Sequence, residues 1–132
     1  MKVLSLTEPY ATLIKKGIKN IETRSWKTNY RGKLYIHASS TKIPKKYREN
    51  AELMNLVKME ELNYGNIICS CYIVDCIEMT DDFIEKVKKS KLEYISGVYE
   101  KGRYAWILDN IEVLDNPIPS KGQLGIWTVE NK

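Results

Sequence analysis

The chain has 132 residues, of which 43% are apolar and 29% charged. That balance suits a single domain over residues 1–132 with a modest core, and it excludes a disordered chain. Net charge is only +4, but eleven of the 21 Lys and Arg residues fall between Lys15 and Arg48 against one acid, Glu22; that segment carries +10 and the rest −6. Such polarity points to a basic face and an anionic partner, against the plainer reading of a solvated lysine-rich surface.

Val3 to Leu6 predicts a short strand. Thr7-Glu8-Pro9 then opens a helix, with Thr7 or Glu8 able to cap and Pro9 suited to the first position. Tyr10, Leu13 and Ile14 form its buried stripe, and Gly17 closes it. The next segment alternates. On an ideal strand Ile18, Asn20, Glu22, Arg24 and Trp26 share one face, while Lys19, Ile21, Thr23 and Ser25 share the other. Lys19 joins the first group only from an entry turn or beside a bulge. Residues 27–32 read as a polar loop, and Lys33 to Ala38 as a second alternating strand, with Lys33, Tyr35 and His37 on one face.

Ser39 to Lys46 is a basic turn region. Pro44 is expected to begin a helix running to about Leu62, with Tyr47, Ala51, Met54 and Leu62 among its apolar positions. Ile67 to Cys76 is apolar on both faces and predicts a central strand. Asp81-Asp82 opens a short helix reaching Lys88. Ser90 to Gly102 reads as an exposed loop with some local order. Tyr104 to Leu114 predicts a long strand that Asn116-Pro117-Ile118-Pro119 should break. Lys121 to Gly125 is a turn, and Ile126 to Val129 a last strand.

No apolar run approaches the roughly 20 residues that would span a bilayer, so no membrane partner is expected. Met1-Lys2 leads into an apolar stretch too short for a signal-peptide core, and a cytoplasmic location is the expectation. Cys69, Cys71 and Cys76 are an odd number crowded into one segment. They read as reduced, buried thiols rather than as a disulfide framework, and with His37 distant in sequence no metal site is expected. No motif asks for a cofactor.

Gly17-x-Lys19-x-x-Glu22-x-Arg24 resembles the signature of the ASCH domain, the activating signal cointegrator homology domain. Its flanks fit the cointegrator-type members: Leu4-Ser5-Leu6, Pro9-Tyr10-Ala11, and Arg24-Ser25-Trp26-x-Thr28-x-x-Arg31-Gly32. So do Tyr104-Ala105-Trp106, Pro117-Ile118-Pro119-x-Lys121-Gly122 and Gly125-Ile126-Trp127 near the end. The resemblance implies an α+β, mainly β, PUA-like barrel of five or six strands with two or three flanking helices, and a cleft beside the first helix. The wider superfamily mostly binds RNA. One branch hydrolyses the acetyl amide of N4-acetylcytidine and another is described as a ribonuclease, both with the lysine matching Lys19 in a catalytic role. The amidohydrolase branch has threonine where this chain has Glu22.

The expected site is therefore a basic cleft for nucleic acid, RNA first, or for a nucleoside, lined by Lys19, Glu22, Arg24, Trp26 and Thr28, with Arg31 at its rim. Arg24 offers a planar fork to a phosphate or base edge, or pairs with Glu22. Glu22 accepts from a base amine, or orients Arg24 or Lys19. As a nucleophile, Lys19 must overcome a reference pKa that leaves only ~0.04% neutral at pH 7, a shift of roughly 3 units. As a cation it needs none. The alternative is thus an amidohydrolase or ribonuclease with Lys19 as its key residue. Trp106 and Trp127 sit in apolar strands and read as core, whereas Trp26 follows the polar motif. Arg31, Lys33, Lys42, Lys45, Lys46 and Arg48 offer a phosphate-tracking surface. His37 has no neighbouring acid to make it a general base.

Overall fold

A computed structural model describes residues 1–130. Six strands form one mixed sheet curled into a half-barrel, in the order β2-β5-β4-β3-β1-β6. These are β1 (Lys2–Leu6), β2 (Ile21–Arg24), β3 (Gly32–Ala38), β4 (Asn66–Glu78), β5 (Tyr104–Pro119) and β6 (Ile126–Thr128). β1 runs parallel to β3, with Ser5 beside His37; every other pair is antiparallel. The α+β, mainly β architecture expected from the resemblance is the one observed.

Helix α1 (Tyr10–Lys15) packs on β1, β3, β4 and β5. Pro9 stands at its start, and Glu8, one residue earlier, does the capping. Its carboxylate accepts from the Thr12 N–H at 2.9 Å and from the Thr12 hydroxyl at 2.6 Å, which satisfies a donor the helix cannot. Ala11 and Ile14 join Leu4, Leu6, Leu34, Ile36, Ile68 and Trp106 in the main core, together with Cys69 and Cys71. Each fully buried Leu or Ile contributes about 1.5–3 kcal/mol. Burial pushes both thiols up to about 12, so they stay protonated and act as small apolar groups. Cys76 is half-buried and packs against the same cluster. Trp106 and Trp127 are core residues, as expected.

Three sequence expectations need correction. The helix expected from Pro44 to Leu62 is broken into α2 (Lys45–Arg48), α3 (Ala51–Met54) and a 3-10 turn (Met59–Glu61). Asn50 takes an extended backbone and its side chain caps α3 through the Leu53 N–H, which ends α2. The segment Ser90 to Gly102 is not simply an exposed loop. It holds α5 (Lys91–Ile95), buries Glu93, Ser96 and Tyr99, and closes a second core with α4 (Asp81–Lys88). Finally, β5 continues through Pro117 and Pro119. β2 pairs only with Tyr104 to Ile107, so among the described residues the later part of β5 has a strand on one side alone. Proline is tolerated there, where a missing N–H faces no partner.

Candidate functional site

The entry to β2 sets the site. Gly17, at a φ of +78°, turns the chain out of α1, and the N–H groups of Ile18 and Lys19 both donate to the Leu13 carbonyl. This tight turn swings Lys19 to the side that β2 alternation would deny it. Lys19 is 1% exposed. Its Nζ donates to the carbonyls of Ile21 at 2.6 Å and Ser96 at 2.7 Å, and lies 3.4 Å from Glu22 Oε1 and 5.3 Å from the centre of the Tyr10 ring. Burial pulls the ammonium below the ordinary lysine value, while Glu22 and Glu93 push it back up.

Glu22 is nearly as buried and is held from three sides. Oε1 faces Lys19 and accepts from the Thr23 N–H, and Oε2 accepts from Arg24 Nε at 2.8 Å. Arg24 then donates from Nη2 to the Ser5 carbonyl at 3.0 Å. The guanidinium is therefore fixed at two points, and among the described residues Nη1 is left free for a ligand. The pairing of Arg24 with Glu22, one of its two expected roles, is present in this geometry.

These groups surround a cavity of about 320 Å³ between α1, β1, β2 and the segment around Gly97. Lys19, Glu22, Arg24 and Trp26 line it together, along with Tyr10, Tyr47 and Arg103. Trp26 is exposed and rests edge-on against buried Trp106 at 4.8 Å. Tyr10 and Tyr47 meet edge to face at 5.2 Å. Arg103 donates to the carbonyls of Val98 and Thr23. The wall thus combines three aromatic rings, two guanidinium groups and one satisfied carboxylate.

The remaining expected site residues stand elsewhere. Thr28 is buried outside the cavity lining, and its hydroxyl accepts from the Tyr30 N–H. Arg31 folds back to donate to the carbonyls of Thr28 and Tyr30 and approaches Asp75 at 3.8 Å. Both shape the loop behind Trp26 rather than the cleft surface, because that loop satisfies its own backbone groups with them. Lys33 lies over the Tyr35 ring on β3, also outside the lining.

Sequence reasoning missed Arg103, and it missed Glu93, which accepts from the N–H groups of Asn20 and Ile21 and so fixes the motif turn from behind. Nothing local marks either one. Glu93's partners, and Thr23 as a partner of Arg103, lie more than 70 residues away along the chain.

Activating signal cointegrator 1 of Homo sapiens is 29% identical over 130 residues, and that of Mus musculus 28%. In each case the match covers 98% of this chain but only 22% of the relative, so the chain spans about a fifth of those proteins' length. The ASCH domain profile matches residues 4–118, which takes in every residue lining the cavity, and the chain belongs to the ASCH domain family.

Proposed function

We propose that this domain binds nucleic acid, RNA in the first place, with a base or phosphate seated in the Arg24 cleft. The observation that carries the reading is the oriented guanidinium of Arg24, facing a cavity walled by Tyr10, Tyr47 and Trp26. Aromatic faces accept any base by stacking, and an arginine fork accepts phosphate or a base edge. The family is PUA-like and RNA-associated, which supports the same conclusion.

Lys19 enters this reading as a floor charge and not as a grip on phosphate, because its hydrogens are committed to Ile21, Ser96 and Glu22. The same commitments weigh against a hydrolase, which would need the amine free. Glu22 also supplies no hydroxyl partner.

The test is fluorescence anisotropy with labelled single-stranded RNA at 50 and 200 mM salt, with the wild type and Arg24→Ala. Loss of the fork should cost about 1–3 kcal/mol, roughly 5- to 150-fold in Kd. An Arg24→Ala protein that binds as tightly as the wild type refutes the placement.

A further inference from the structure

A second cavity of about 310 Å³ is lined by Ser5, His37, Ser40, Thr41, Gly122 and Gln123 among others. Ser5 belongs to both cavities. Its carbonyl holds Arg24 in the first, and its hydroxyl meets His37 Nδ1 at 2.7 Å at the second. We infer that this second cavity is a subsite for the ribose and phosphodiester of the neighbouring nucleotide, and that it reads the ribose 2′-hydroxyl. The inference rests on the nucleic-acid reading of the Arg24 cleft.

Three observations converge on it. The first is continuity: the segment Ser39 to Tyr47 runs from one cavity to the other. Ser39, Ser40 and Thr41 line the second and Tyr47 the first, with exposed Lys42, Lys45 and Lys46 between them. Lys42 has no ion pair among the described residues, and Lys45 only a 3.7 Å contact with Glu49. A polyanion crossing from cleft to pocket meets cations on the way.

The second is chemistry. The cleft offers rings and guanidinium groups, which suit a base and its phosphate. The pocket offers hydroxyls, a carboxamide and the His37 imidazole, with no tyrosine or tryptophan in its lining, which suits a sugar. The 2′-hydroxyl both donates and accepts, and it is the group that separates RNA from DNA.

The third is the state of Ser5. His37 Nε2 lies 2.7 Å from the Ser120 carbonyl, which can only accept, so the ring donates there. In the neutral ring Nδ1 is then the acceptor, and the Ser5 O–H donates to it. The Ser5 lone pairs remain free to accept from a ligand hydroxyl. Gly122 keeps this arrangement open, since a Cβ there would stand 2.8 Å from Ser5 Oγ and 3.1 Å from His37 Cε1.

The experiment compares a labelled eight-residue RNA with its all-deoxy counterpart, using the wild type, Thr41→Val, Gln123→Ala and the double variant. Both side chains are exposed, so the fold should survive, and circular dichroism checks that it does. The wild type should bind the RNA at least fivefold more tightly than the DNA. The double variant should bring that ratio below twofold by weakening RNA binding more than DNA binding. A wild-type ratio near one overturns the inference, as does a ratio that the double variant leaves intact; in either case Arg24-dependent binding still upholds the parent reading. If neither polymer binds, the parent reading fails and this one falls with it.

Discussion

Replacing Lys19 with methionine keeps the volume and removes the charge. Three acceptors then lose their donor at once: the carbonyls of Ile21 and Ser96, and Glu22 Oε1. Breaking a buried pair from one side costs about 3–5 kcal/mol, because the remaining charge stays buried. Glu22 keeps Arg24 and the Thr23 N–H, which lowers that figure. The two abandoned carbonyls raise it again, at about 1–3 kcal/mol for each buried group left unsatisfied. A net loss of about 3–5 kcal/mol is the expectation. Domains of this size carry about 5–15 kcal/mol, so the variant should fold and its urea unfolding curve can be measured. At a slope of about 2 kcal/mol/M, the midpoint should fall by about 2 M. Adding Glu22→Gln to Lys19→Met should cost less than the sum of the two single changes, with a coupling of about 1–3 kcal/mol. A Lys19→Met protein within about 1 kcal/mol of the wild type would refute the view that this amine fastens the Ser96 segment to β2.

The same neighbourhood yields further expectations. Lys19 has a depressed pKa in the folded state, so the unfolded chain binds the extra proton between that value and about 10.4. The wild type should therefore gain stability over Lys19→Met as pH rises through that window, as urea titrations at stepped pH can measure. Gly97→Ala places a Cβ 3.0 Å from Thr23 Cγ2 and from Tyr99 Cε2 and should cost about 1–3 kcal/mol by overpacking, read as a lower Tm. Glu93→Gln leaves one acceptor where two N–H groups converge and should cost about 1–3 kcal/mol in chemical denaturation. A silent Glu93→Gln would mean that the motif turn holds without it.

Much of the sheet was legible because strand alternation is a local signal. Leu34, Ile36 and Ala38 are all buried on β3, as their spacing predicts. The cleft was legible for a different reason. Lys19, Glu22, Arg24 and Trp26 lie within eight residues, so a single turn and a single strand bring them together. What stayed hidden depends on distance or on competing local bonds. Glu93 and Ser96 look like residues of a polar loop until a motif 70 residues earlier folds onto them. The broken helix after Pro44 hides in an apolar spacing that satisfies a helical period. The Asn50 side chain overrides it by offering the backbone another partner. Thr28 and Arg31 share the motif's polarity but spend it on their own loop.

The uneven reach of β2 along β5 has a consequence for association. From Asp109 to Pro119 the longest strand presents a row of backbone groups that a foreign strand could zip onto, were nothing in the way. Asp109, Glu112 and Asp115 space negative charge along that stretch, and Pro117 and Pro119 remove two donors from it. Such charges and missing donors disfavour the growth of copies into a continuous ribbon, and none of these residues lines either cavity.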